Sequence, residues 1–177
     1  MTPRRIVTGH DERGRSTILY DSPLQGGAFR HTPGFEVNIL WRTPPLPTIA
    51  PRADDAGAAI ASVLPDAGGT TALLVCFPPD SAPGADFDPA AAGAEFAERL
   101  PGLAECFEPD APGFHRSATI DYGVVIEGEI WLELDDGVTR HLRQGDVIVQ
   151  RGTRHAWRNR GSKPARLLFT LIGAESG

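Results

Sequence analysis

Residues 115–159 decide the fold: HRSATIDYGVVIEGEIWLELDDGVTRHLRQGDVIVQRGTRHAWRN. Apolar and polar residues alternate through this stretch, broken at Glu127-Gly128 and at Asp136-Gly137. Period-two alternation marks strands with one buried face. A Gly-containing dipeptide between two such runs, Asp-Gly above all, is a hairpin signal. The stretch therefore predicts short antiparallel strands with two hairpins. If 115–125 is extended, His115, Ser117, Thr119, Asp121, Gly123 and Val125 share one face. His155, Trp157 and Asn159 share a face in the second segment. Two such strands in a small barrel would bring His115, Asp121 and His155 together. Two imidazoles and a carboxylate can hold a divalent ion and leave positions open for a substrate.

Outward from this centre, the pattern stays strand-like. DVIVQ, HAWRN and ARLLFTLI follow as short runs, and 70–77 (TTALLVCF) reads as a buried strand closed by Pro78-Pro79. Residues 35–41 (FEVNILW) put Phe35, Val37, Ile39 and Trp41 on one face, and 4–9 and 16–20 are two short strands around a charged turn. Pro44, Pro45, Pro47 and Pro51 forbid a helix and make an extended connector. Residues 81–112 depart from the strand pattern. Asp88-Pro89 before AAAGAEFAERL predicts a helix over 89–100, with Asp88 capping free N–H groups and Pro89 in the first turn. Packing is expected of this helix rather than action as a lid. The fold class is all-β, a jelly-roll β-barrel with an N-terminal β extension and one short helix in an insertion. One domain is expected over 1–177: N-terminal strands and connector to 80, the insertion over 81–112, and the core over 113–172.

A net charge of −6 and an isoelectric point near 5.3 give no nucleic-acid footprint. Arg151, Arg154, Arg158 and Arg160 read as a solvated face or an anion contact. No secretory leader pattern and no apolar run near the roughly 18 residues of a membrane span are visible, so a cytoplasmic protein without a membrane partner is expected. Cys76, within LLVCF, reads as a small buried hydrophobe, and neither it nor Cys106 has a CxxC partner.

The chain resembles the cupin family in its two motifs. The first family motif runs glycine, His-x-His, glutamate, glycine; here His115 matches the first histidine and Gly128 the closing glycine, while Ser117 replaces the second histidine and Asp121 the glutamate. The second runs glycine, a short strand, Pro-x-Gly-x-x-His and asparagine; here Gly145, Gly152, His155 and Asn159 match, Arg151 stands at the proline, and the spacing is one residue shorter. The resemblance covers about residues 113–172. RIVTGHD and VNILWRT are similar to a bacterial and fungal subgroup of single-domain cupins, some of whose fungal members lie in polyketide clusters and are described as oxidoreductases. The resemblance implies a double-stranded β-helix, a small-molecule ligand, a homodimer to which FEVNILW contributes, and a divalent metal: Fe(II), Zn or Mn.

The replacements keep three readings open. Serine is a poor transition-metal ligand beside imidazole. Aspartate reaches about 1.5 Å less far than glutamate, where metal–ligand distances tolerate about 0.2 Å. His115, Asp121 and His155 either ligate one ion, or Asp121 and a histidine form a metal-free acid–base pair, or the three are hydrogen-bonded interior residues. Catalytic roles fall to Asp121 and His155. Ser117, Val125 and Trp157 are expected to line the substrate pocket, with Leu132 or Phe169. The leading function is a metal-dependent small-molecule enzyme: an oxygenase, oxidoreductase, isomerase, lyase or decarboxylase on a carbonyl or polyketide-like compound. A metal-free acid–base enzyme and a non-catalytic ligand-binding module are the alternatives. Tyr122 is expected to pack in the core or between sheets, and Arg151 to pair with a carboxylate such as Asp146. Gln150 and Arg116 should face solvent or the opposite sheet. His10, His31 and His141 read as surface or hydrogen-bonded histidines.

Overall fold

The computed structural model describes residues 3–24, 27–49, 61–82, 84 and 86–175; residues 50–60, part of the expected connector, lie outside them. The strands are β1 (Arg4–His10), β2 (Ser16–Pro23), β3 (Glu36–Thr43), β4 (Thr70–Phe77), β5 (Thr119–Glu127), β6 (Glu129–Glu133), β7 (Thr139–Arg143), β8 (Val147–Arg151), β9 (Ala156–Arg158) and β10 (Ala165–Gly173). Helix α1 spans Pro89–Arg99. β1 and β2 form a separate hairpin. The other strands make a five-stranded sheet, ordered β3-β4-β10-β5-β8, and a three-stranded sheet, ordered β7-β6-β9. Their pairings are all antiparallel, and the two sheets are the layers of a jelly roll.

Alternation in the sequence becomes alternation in burial. Along β10, Ala165, Leu167, Phe169 and Leu171 are buried while the residues between them are half-buried. These side chains meet Leu73 and Val75 of β4, Val125 of β5 and Ile130 of β6 in one core. Each such side chain contributes about 1.5–3 kcal/mol on burial.

Two local expectations need correction. β5 and β6 lie in different sheets, so Glu127-Gly128 is a crossing rather than a hairpin. Gly128 sits at φ 77°, and a Cβ there would lie 2.6 Å from the Pro164 carbonyl, so the corner admits only glycine. The second signal does form a hairpin: Asp136 and Gly137 take φ of 57° and 71° between the paired β6 and β7. In β3 the register shifts between Ile39 and Trp41. This bulge turns Trp41 away from the face that carries Val37 and Ile39, because it adds a residue to the alternation.

α1 starts as its sequence dictates, with the Asp88 carboxylate accepting from the backbone N–H of Ala90 and Ala91. It docks through Phe96, which stacks on Phe35 at 5.1 Å and 23°. Glu95 accepts from the backbone N–H of Arg30 and His31, which fixes the helix to the segment before β3. Among the described residues, no helix is long and apolar enough to cross a membrane.

Asn159 closes the loop after β9. Its Nδ2 donates to the carbonyls of Phe77 and Lys163, at 3.0 and 2.9 Å, and its Oδ1 accepts from Gly161 N–H at 3.1 Å. The residue is buried, so these bonds have no competitor in water. Asn159→Ala is expected to cost about 2–4 kcal/mol by orphaning those groups. Urea denaturation of the variant beside the wild type measures this, and an unchanged midpoint would contradict it.

Candidate functional site

His115 and His155 are held by the backbone before their side chains do anything. Each N–H donates to the other's carbonyl, at 2.9 and 3.0 Å, in an isolated antiparallel bridge. Phe107 bridges the other side of His115, and its ring lies 4.5 Å from the imidazole. The two imidazoles stand side by side, with centroids 4.2 Å apart. Nδ1 of His115 donates to Gly113 O at 3.2 Å, and Nδ1 of His155 to Thr153 O at 2.9 Å. A carbonyl can only accept, so Nδ1 carries the proton and Nε2 of each neutral ring keeps its lone pair. Burial pushes the His115 pKa down. Burial, then the neighbouring His115, pushes His155 down to about 4. Both rings are therefore neutral at pH 7.

Ser117, just before β5, and Thr119 and Asp121 within it form a buried polar row. The Thr119 hydroxyl lies 2.8 Å from that of Ser117. Oδ1 of Asp121 is buried with no hydrogen-bond partner. Desolvation raises the Asp121 pKa to about 6, against the smaller opposing effect of the Thr119 hydroxyl.

These groups open on a cavity of about 240 Å³ inside the barrel. Among the described residues, the ionisable side chains lining it are His115, Asp121 and His155, and no lysine or arginine does. Its other walls are mainly apolar, with aromatic rings from several elements. Ser117, Trp157 and Phe169 are among the residues that line it. Val125 and Leu132 do not: both are buried in packing instead. The reason is Gly123, whose missing side chain leaves room for Phe169 and Ile148; a Cβ there would lie 2.8 Å from each.

Gln150 also departs from expectation. It pairs with Asp121 across β5 and β8, shares its face, and lines the cavity. The turn at 152–154 resets the alternation, so counting back from His155 gave the wrong face. The cross-strand register, absent from a single sequence, was the missing signal. Tyr122 points outward and is exposed, not packed between sheets. Arg116 is exposed and donates to Gly152 O. Among the described residues Arg151 has no ion pair, and Asp146 instead accepts from the backbone N–H of Arg143. His141 hydrogen-bonds Glu129 and stacks on Trp131, and His31 is exposed.

Two bare imidazole nitrogens and an unpartnered carboxylate oxygen are donor chemistry suited to a divalent cation. The Nδ1-to-carbonyl bonds are the orienting contacts that metal-binding histidines use. Among the described residues, however, no three His, Cys, Asp or Glu side chains are grouped to share one ion. The histidines fit as a pair, and Asp121 is not placed beside them as a third ligand.

Comparison with known proteins adds to this geometry. The Cupin domain family matches residues 105–171. Oryzines biosynthesis cluster protein J of Aspergillus oryzae is 49% identical over 65 residues, 36% of this chain and 36% of that protein. The cupin-domain-containing oxidoreductase virC of Hypocrea virens is 49% identical over 61 residues, 33% of this chain and 31% of its own length. The chain thus spans about a third of the length of the curated relatives it matches. The Cnp3 cupin domain of Schizosaccharomyces pombe is a structural neighbour with 13% identity and a TM-score of 0.46, over 98% of this chain and 89% of that one.

The buried carboxyl sets a pH dependence. Between the ordinary value of 3.8 and about 6, the folded Asp121 holds a proton that the unfolded chain has lost. Stability from this group therefore falls as pH rises through that window, and above it the buried charge costs at most about 3 kcal/mol. His155 acts oppositely, losing stability as pH falls from 6.5 towards about 4. In metal-stripped protein, Asp121→Asn should stabilise by about 1–3 kcal/mol at pH 7.5 and give little of that gain at pH 4. Urea midpoints at the two pH values test this; equal gains at both would contradict it.

Proposed function

Because the chain belongs, through residues 105–171, to the cupin superfamily, we propose that it is an enzyme acting on a small molecule held in the barrel cavity. The observation that carries this reading is the unpartnered Asp121 Oδ1, facing two neutral histidines across an otherwise apolar cavity. Buried polar atoms in folded proteins are almost always hydrogen-bonded, so an orphan of this kind marks a place where a ligand completes the bonding. The names of relatives such as the virC oxidoreductase support an oxidoreductase class. Isomerase, lyase and decarboxylase chemistry use the same parts.

The chain's residues divide the work. His115 and His155 would hold a divalent cation, Fe(II), Zn or Mn, through their Nε2 atoms. When bound, that ion supplies Lewis-acid polarisation or a site for O₂. Asp121, with its pKa raised to about 6, is suited to accept a proton near neutral pH. Trp157 and Phe169 exclude water and hold the apolar body of the substrate. A metal-free acid–base reading has one observation in its favour: Asp121 is not grouped with the histidines as a third ligand.

Elemental analysis of the purified protein, beside His115→Ala and His155→Ala, decides between the two. Near one metal per chain, lost in both variants while circular dichroism is unchanged, is the expected result. No metal after reconstitution would move the reading to the acid–base pair.

We also propose a homodimer. β3 and β8 are the edges of the five-stranded sheet, and Tyr122, Val147 and Val149 are exposed on its outer face. Light scattering should give twice 18.9 kDa, and the monomer mass would overturn this.

A further inference from the structure

The polar wall of the cavity is rich in hydrogen-bond acceptors and poor in donors. Nδ1 of both histidines is committed to a backbone carbonyl, which leaves Nε2 as an acceptor. Oδ1 of Asp121 accepts nothing. The hydroxyls of Ser117 and Thr119 lie 2.8 Å apart and hydrogen-bond each other, and in either direction of that bond Ser117 Oγ keeps a lone pair open. Gln150 donates its amide nitrogen to Thr153 Oγ1 at 2.7 Å, and its amide oxygen has no partner among the described residues. Against these acceptors, the donors on the described lining side chains are the indole N–H of Trp157, the second amide hydrogen of Gln150 and, when Thr119 donates to it, the hydroxyl of Ser117.

A ligand must supply what the wall lacks. A carboxylate or a ketone brings acceptors to acceptors, and no lysine or arginine lines the cavity to neutralise an anion. Hydroxyl groups bring donors. The opposite walls constrain the rest of the molecule. Phe35, Phe77, Phe96, Phe107, Trp157 and Phe169 line the space, and these rings favour a flat aromatic body. Phe96 and Phe107 come from the 81–112 insertion, so this insertion takes part in selecting the ligand.

We propose that the cavity selects an uncharged, planar aromatic molecule with adjacent hydroxyl groups, whose O–H donors are read by Asp121, Gln150 and Ser117. This rests on the reading of the cavity as a small-molecule site. It replaces the carbonyl compound expected from the sequence with a phenolic one. This preference belongs to the cavity without a cation; an ion on the histidine pair would add an attraction for carbonyl and carboxylate oxygens.

The test uses the full wild-type chain, stripped of metal, under anaerobic conditions. Calorimetry compares naphthalene-2,3-diol with 1,4-naphthoquinone and naphthalene-2-carboxylate, which share the ring system but carry oxygens that only accept. The diol should bind about tenfold or more tighter than either, the difference two hydrogen bonds produce. Gln150→Met should weaken the diol several-fold and leave the quinone unchanged. Equal or tighter binding of the quinone or the carboxylate would overturn the proposal, as would failure of the diol to bind. The parent reading fails separately. A bound diol that no metal-loaded form ever converts would remove the enzyme and keep the ligand class. Metal-dependent turnover with a preference for the anion would do the reverse.

Discussion

The site depends on β10 lying between β4 and β5. One face-alternating strand pairs along its whole length with both neighbours, and so joins the early half of the sheet to the half that carries the polar row. Its inward side chains have two jobs. Ala165 and Leu167 are fully buried in the core, while Phe169 and Leu171 form a wall of the cavity. The boundary between these roles is set on the neighbouring strand by Gly123, where a side chain would collide with Phe169 and Ile148. A glycine in a strand interior weakens the strand and commonly marks such a close approach. Here it lets an aromatic ring cross the barrel, making Asp121 a cavity residue and Val125, on the same face, a core residue.

Within those walls the free energy runs against the polar groups. Desolvation raises one carboxyl to about 6 and lowers one imidazole to about 4, so the carboxyl resists losing its proton and the imidazole resists gaining one. The backbone limits what the histidines can do about this. Their reciprocal bridge fixes their positions, and the carbonyls of Gly113 and Thr153 fix their tautomers. Asp121 lacks such compensation at Oδ1. A fold that leaves a buried carboxylate oxygen unsatisfied gives up stability that a core residue would have supplied. Perturbed groups in a cleft are where ligand chemistry concentrates.

The insertion joins this picture through packing. Glu95 ties α1 to the segment before β3, Phe96 stacks on Phe35, and Phe107 covers His115. The ion pairs of Arg154 with Glu108 and Asp135 fasten the end of the insertion to the β6–β7 turn and to the residue before His155. The expected packing role of the helix and its contribution to the cavity wall are thus one arrangement.

Much of this was legible in the residues. Alternation located the strands, Asp88-Pro89 the helix start, Asp136-Gly137 a hairpin, and the 115–125 face the row that includes Ser117 and Asp121. These features depend on the local geometry of a strand or a turn, and local geometry is written in neighbouring residues. What the sequence left undetermined came from pairing. Gln150 reached the cavity because β8 pairs with β5 in a register that sets it opposite Asp121. Glu127-Gly128 became a crossing because β6 found its partners in the other sheet. Trp41 turned outward at a bulge, and Val125 was shut off by a ring from a strand far along the chain. The sequence by itself determined which residues alternate, turn and carry chemistry. Only the tertiary structure decided which of them face one another, because strand register and sheet membership are set by contacts between segments that no local pattern records.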